Sequence, residues 1–132
     1  MRPENWLTQF AEYIEGARFK LFEWGQHDCA SFVAGWLTIA NDQLDVSPLT
    51  PERADATEGA RLMHEQSLAD RVMTMGLEEI APIYAQRGDV LLIESGDRQL
   101  LAIHSGDYAI APGPDQLEFQ PNPHLALRAW RV

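Results

Sequence analysis

Apolar side chains in the first third of the chain recur at the spacing of α-helices. Behind Pro3, the large apolar residues repeat at helical intervals as far as Gly16: Trp6, Phe10, Tyr13 and Ile14. This pattern predicts an amphipathic helix that ends at Gly16. A second run begins at Cys29 and is apolar at Phe32, Val33, Trp36, Leu37 and Ala40. It predicts a deeply buried helix, for which Asp28 is a suitable N-cap.

The pattern then changes to loops and short helices, and later to strands. The segment from Asn41 to Ala56 contains Asp, Ser and Pro residues, and it is predicted to be a loop. Two short helices are expected next, one over Thr57 to Gln66 and one that Ser67 caps and Gly76 ends. Four runs rich in β-formers follow, separated by turn sequences: Val90 to Glu94, Gln99 to His104, Tyr108 to Ala111 and Leu117 to Phe119. These runs predict an antiparallel meander.

The order of helices first and strands second predicts an α+β fold. In such a fold the N-terminal helices, including the Cys29 helix, pack on a small antiparallel sheet. The last segment, NPHLALRAWRV, fits either a short helix or a final strand. We expect its Trp130 to fold back on the core, because so apolar a segment is rarely left in water.

Size and charge limit the classes of protein to consider. The 132 residues suffice for one domain, residues 1–132, and 45% of them are hydrophobic. A net charge of −10 argues against a nucleic-acid-binding protein. The single cysteine excludes an intrachain disulfide and a multi-thiolate metal site, and no ligand spacing typical of a metal site is present, so we expect neither metal nor cofactor. No apolar run approaches the about 20 residues of a membrane span.

Cys29 has two interpretations. A lone cysteine on a buried helix is commonly a small core residue. Alternatively, the first turn of a helix lowers the pKa of a thiol and produces a nucleophilic thiolate. The Asp28 carboxylate works against that effect, so we expect only a modest lowering of the pKa, provided that the sulfur is not sealed in apolar core.

Several sequence motifs together resemble one family of hydrolases. Phe22 lies three residues before Gly25, DCASFV opens the second helix, and RGDVLLI opens the first strand of the meander. This arrangement resembles the NlpC-type papain-fold cysteine hydrolases, and it implies a papain-like core. More narrowly, EWGQHDC, QRGDVLLI, APGPDQL and the terminal AWRV are similar to small proteins encoded among the tail genes of bacteriophages and prophages.

The resemblance implies acyl transfer by Cys29, with a histidine on a neighbouring strand as the base. The position of that histidine falls on Leu100, and the third polar position falls within Tyr108 to Ala111. His104 faces the same side as Leu100 but lies about 13 Å farther along the strand, so it serves as base only if the strand register differs. His27, two residues before Cys29, is the other candidate base. His64 and His124 are expected at the surface.

Two functions of different classes follow from the resemblance. The first is a bacteriophage tail or tail-tip protein with a structural or assembly role, a degenerate catalytic site and other phage tail proteins as partners. Its location is the virion, after synthesis in the host cytoplasm. The alternative is an active cysteine hydrolase that cuts a bacterial cell-wall peptide or a virion protein, with Cys29 as nucleophile and His104 or His27 as base. A small host-encoded binding protein is a third possibility that genome neighbours would test.

Overall fold

The apolar patterns form helices and strands in the computed structural model, which describes residues 2–24, 26–50 and 67–132. The α-helices of this part of the chain are α1, Trp6–Ala17, α2, Cys29–Ala40, and α3, Leu68–Thr74. The strands are β1, Glu78–Ile80, β2, Val90–Ser95, β3, Arg98–His104, β4, Tyr108–Pro112, β5, Leu117–Pro121, and β6, Arg128–Arg131. Short 3-10 segments occupy Ser47–Leu49, Pro82–Tyr84 and Pro123–Leu125. The predicted α+β class is therefore confirmed.

The six strands form one antiparallel sheet in the order β1-β6-β2-β3-β4-β5. The β2 to β5 run is the predicted meander, joined by tight turns. The β2–β3 turn closes at the pair Ser95–Arg98, and the β3–β4 turn is closed by the Ser105 N–H donating to the Tyr108 carbonyl at 2.8 Å. Gly96 and Gly106 have positive φ angles of 65° and 103°, which explains why glycine occupies both turns.

One face of the sheet carries the main core. Side chains of α1, α2 and α3 meet apolar side chains of the sheet there, namely Val90, Leu92, Leu101, Ile103, Ile110 and Trp130. At the centre of this core, the indole of Trp36 is fully buried and contacts Phe10 edge to face at 4.9 Å between ring centroids. The helices therefore form one layer over the sheet.

The other face of the sheet is also buried. Small and aliphatic side chains form its second cluster: Leu91, Ile93, Ala102, Ala109, Ala111 and Ala129. Ala85 and Ala126, which directly follow two of the 3-10 segments, pack against this cluster. Because β2 is covered on both faces, its sequence is a continuous apolar run rather than an alternating one.

Local signals in the sequence predict the starts of two helices correctly. The Asp28 carboxylate accepts the Ser31 N–H at 2.8 Å, and the Ser31 hydroxyl accepts the Asp28 N–H at 2.8 Å. This reciprocal capping box confirms that α2 begins at Cys29. Ser67 likewise caps α3 by accepting the Asp70 N–H at 3.1 Å.

Other boundaries differ from the predictions. The first helix does not stop at Gly16 but includes it and ends at Ala17, since a glycine in the last turn costs little. Strand β1 was missed because its three residues are too few to show a period. The ambiguous last segment contains strand β6, which pairs with β1 and β2 and lies inside the sheet. The helix predicted over Thr57 to Gln66 lies outside the described residues.

Trp130 folds back on the core as expected. It is fully buried on β6, and its indole N–H donates to the Met73 sulfur at 3.1 Å. Pairing with β2 places this tryptophan opposite Val90, on a strand that lies between β1 and β2. The last segment is thus an integral part of the fold.

Asp89, at the start of β2, connects distant parts of the chain. Its carboxylate accepts hydrogen bonds from the Arg2 guanidinium at 2.9 Å, the Val132 N–H at 3.0 Å and the Gln86 N–H at 2.9 Å. Arg2 also donates to the Arg87 and Val132 carbonyls. The Gly-Asp sequence that opens the strand is therefore a structural junction.

Candidate functional site

Cys29 lies at the start of α2, but its side chain belongs to the core. The residue is 7% exposed and is part of the helix-facing cluster of the sheet. Burial raises the pKa of its thiol to about 11, against backbone hydrogen bonds at Leu101 and Ala30 that lower it. The Asp28 carboxylate adds to the rise. The expected modest lowering of the pKa required a sulfur outside the apolar core, and this condition is not met, so the expectation does not apply.

The strand residue that accompanies Cys29 is Leu101 rather than Leu100. Leu101 is fully buried in the same core cluster as Cys29, and its backbone forms the hydrogen bond to the thiol. Leu100 is only partly buried and lies at the side of the sheet, where it lines a pocket. The strand position beside the thiol, where the base is expected, is therefore one residue later in the sequence than the resemblance implies. Both positions hold leucine, which cannot accept a proton.

His104 is on the opposite face of the sheet from Cys29. Along β3, Leu101 and Ile103 pack with the helices, whereas Ala102 packs in the second cluster. His104 follows the alternation of Ala102. Its ring lines a pocket with residues of the Pro82–Tyr84 and Pro123–Leu125 segments. The structure therefore does not bring His104 and Cys29 together.

The His104 imidazole has a structural hydrogen bond where it lies. Its Nδ1 accepts the Gly106 N–H at 2.9 Å, which closes the turn between β3 and β4. Burial lowers its pKa, while the carboxylate of Asp89 acts in the opposite direction. The ring is thus held neutral with Nδ1 as an acceptor.

His27 is close to Cys29 in sequence, but its ring faces another part of the molecule. The ring is buried and packs edge to face on Phe32, at 6.0 Å between centroids. It lines a small pocket with Tyr13 and Lys20 rather than the pocket lined by Leu100. Burial, and then the charge of Lys20, lower its pKa. Among the described residues its Nε2 has no hydrogen-bond partner.

A larger pocket opens between β3 and the turn that joins β4 to β5. Its volume is about 530 Å³, and both apolar and charged residues line it: Phe22, Ser95, Arg98, Leu100, Pro112, Gly113, Pro114 and Glu118. The Phe22 N–H donates to the Pro114 carbonyl at 3.2 Å and fixes the aromatic wall to the turn. Arg98 acts electrostatically on the Cys29 thiol.

Sequence patterns point to Cys29, Asp28, His27 and His104 but not to the pocket. The signal was present in APGPDQL, which supplies Pro112, Gly113 and Pro114. The two prolines lie on either side of a glycine at the end of a strand, where a turn and an interrupted ladder are expected. Only the packing of Phe22 and Leu100 against this turn makes it a site.

Two further features bear on possible functions. In residues 2–24, 26–50 and 67–132, no group of three or more His, Cys, Asp or Glu side chains is placed to hold a metal ion. None of the helices in the same ranges has the length and apolar character needed to cross a membrane.

Fold and site together define an α+β domain with a buried cysteine at the start of α2 and a pocket between β3 and the β4–β5 turn. Over residues 1–132 the chain matches a family model described as a domain of unknown function, DUF6950. The chain therefore belongs to the DUF6950 family. Comparisons with curated proteins and with solved structures found no match.

Proposed function

We propose that this protein is a non-catalytic component of a bacteriophage tail, built on a papain-like, NlpC-type scaffold, and that it acts by binding other tail proteins. One observation carries the loss of catalysis. The Cys29 thiol is sealed in the core with its pKa raised to about 11, beside a leucine on β3 instead of a base. A thiol in this state is neither ionised near neutral pH nor accessible to a carbonyl carbon.

The scaffold and the partners rest on the resemblance. A cysteine helix packed on an antiparallel sheet agrees with the expected core. The motifs EWGQHDC, QRGDVLLI, APGPDQL and AWRV are those that resemble proteins of phage tail gene clusters. In this structure QRGDVLLI and AWRV provide Asp89, the central strand β2 and the buried Trp130. These motifs therefore serve the fold, so they are compatible with a binding role that needs no catalytic group.

A hydrolysis assay tests the catalytic part of the proposal. Purified protein is incubated with peptidoglycan stem peptides, and products are followed by mass spectrometry, with Cys29→Ala as the matched control. We expect no cleavage by either protein, since the absence of a general base alone reduces rates by about two to four orders of magnitude. Turnover by the wild type that Cys29→Ala abolishes would establish the hydrolase alternative. Additional loss in His104→Ala or His27→Ala would identify its base.

Complementation in phage tests the structural part. The gene is deleted from the phage or prophage that carries it, and tail formation is examined by electron microscopy and by mass spectrometry of purified particles. We expect defective tails after deletion, and normal tails when either the wild-type or the Cys29→Ala gene is supplied. Normal infectious particles that lack the protein would refute the assignment to the tail.

A further inference from the structure

The ladder between β3 and β4 is short. It contains only the pairs Ile103–Ile110 and His104–Ala109, although β3 extends back to Arg98. On its other side β3 pairs with β2 along its whole length, from Ser95–Arg98 to Val90–Ile103. The first half of β3 is therefore bonded on one side only within the described part of the chain.

Proline explains why the ladder stops. The next hydrogen-bonded pair along β3 and β4 would join Leu101 to Pro112, and proline has no N–H to donate. The backbone of Leu101 instead bonds to the Cys29 thiol, and Leu101 is fully buried. Beyond Pro112 the chain turns, as the Gly113 N–H donates to the Gln116 carbonyl at 2.8 Å. No strand of the described chain continues alongside Gln99.

Among the described residues, the Gln99 backbone has no hydrogen-bond partner on the β4 side, where another chain could pair with it. The N–H and the carbonyl of His104 both bond towards β2. Backbone groups alternate in direction along a strand, so those of Leu100 also face β2 and those of Gln99 face the β4 side. Gln99 is exposed, in contrast to Leu101. Its neighbours Arg98 and Leu100 line the pocket of about 530 Å³ together with Phe22.

Among the described residues that line this pocket and their immediate sequence neighbours, acidic residues outnumber basic ones. Glu118 lines the pocket, and four further carboxylates are sequence neighbours of lining residues: Glu23 beside Phe22, Glu94 beside Ser95, Asp97 beside Arg98 and Asp115 beside Pro114. Arg98 is the one basic residue among the described residues of the lining. With a net charge of −10 for the whole chain, the site favours a partner that carries positive charge.

We propose that an extended, basic segment of a partner protein adds to the open edge of β3 at Gln99, and that one of its apolar side chains enters the pocket between Phe22 and Leu100. The inference rests on the proposed binding function and names the kind of partner. Main-chain hydrogen bonds to Gln99 give the segment its extended conformation, the pocket selects an apolar side chain, and the acidic surroundings select basic flanking residues.

Binding to a defined probe tests the proposal. The probe is a short fluorescent peptide of alternating lysine and valine, and affinity is measured by fluorescence anisotropy. We expect Gln99→Ala to bind as the wild type does, since the backbone is unchanged. Gln99→Pro removes an N–H that faces away from β2 and should weaken binding about tenfold, the effect of one lost hydrogen bond. A peptide of alternating glutamate and valine should bind more weakly than the lysine peptide.

A second measurement does not depend on a proline variant that folds. The same lysine peptide with N-methylated valines cannot pair as a strand, and it should lose affinity for the wild type. Hydrogen exchange provides a direct readout, in which the Gln99 amide exchanges rapidly in the free protein, the Leu100 amide is protected, and the peptide protects Gln99. Equal binding of the methylated peptide, a protected Gln99 amide in the free protein, or no binding of the lysine peptide would overturn the proposal.

Failure of the strand-addition proposal can be distinguished from failure of the proposed function. An inert protein that forms part of the tail but does not bind the peptide refutes only the strand-addition site. Cleavage of stem peptides that depends on Cys29 refutes the non-catalytic role, whatever the result at Gln99.

Discussion

Replacing Asp89 tests the claim that this carboxylate joins distant parts of the chain. Its side chain is 3% exposed, and it accepts hydrogen bonds from Arg2, Val132 and Gln86. Asp89→Ala removes all three bonds and leaves the Arg2 guanidinium, itself only 16% exposed, without its counter-ion. Removal of one partner of a buried ion pair costs about 3–5 kcal/mol. That is a large part of the about 5–15 kcal/mol by which domains are stable.

Milder substitutions distinguish the contribution of the Asp89 charge from that of its hydrogen bonds. Asp89→Asn keeps the shape and one acceptor oxygen but places an amide donor against an N–H, so we expect a loss of about 2 kcal/mol. In a double-mutant cycle with Arg2→Met, the two changes should couple by about 1–3 kcal/mol, because the residues share one ion pair. Asp97→Ala, at an exposed aspartate in the β2–β3 turn, is the matched control and should be neutral.

Urea denaturation followed by tryptophan fluorescence measures these free energies, since the chain has four tryptophans. Thermal unfolding provides an independent check. At about 4 °C per kcal/mol, Asp89→Ala should lower the Tm by about 10–20 °C. A loss below about 1 kcal/mol in Asp89→Ala, or additive effects of the Arg2 and Asp89 substitutions, would refute the reasoning.

Three further predictions follow from burial. Iodoacetamide should alkylate Cys29 in urea but not in the folded protein, and alkylation of folded protein with the pH midpoint of free cysteine would contradict its burial. Stability should fall as pH rises from about 9 towards about 11, because the thiol of the unfolded chain ionises before that of the folded protein. Stability should also fall as pH drops below about 6.5, because folding lowers the pKa values of His27 and His104 and the unfolded chain therefore binds protons first. A urea midpoint that is independent of pH from 7 to 5 would contradict this prediction. Trp130→Ala should cost about 3–5 kcal/mol and Trp130→Phe clearly less, as measured by urea denaturation; equal stabilities would disprove the packing assigned to β6.

The sequence by itself determined the features that depend on neighbouring residues. The capping sequence at Asp28 and the apolar periodicity after it located α2, because a helix start is set by side chains within one turn. The Gly-Asp turns located strands β2 to β4, because tight turns need residues that tolerate positive φ. The α+β class followed from the order of these elements.

Strand pairing over long sequence distances lay beyond those local signals. β6 enters the sheet between β1 and β2, and no pattern inside NPHLALRAWRV specifies either neighbour. Asp89 was recognised as part of a motif, but its role as a junction between Arg2 and Val132 depends on that pairing. The open edge at Gln99 depends on which β3 backbone groups face Pro112.

The candidate site was decided by tertiary structure for the same reason. A strand has a side-chain period of two residues, so one step in register moves a side chain to the other face of the sheet. That step separates His104 from Cys29 and places Leu101, not Leu100, beside the thiol. The pKa of Cys29 likewise follows from what covers the sulfur, since desolvation in the assembled core outweighs the favourable position in the first turn of α2.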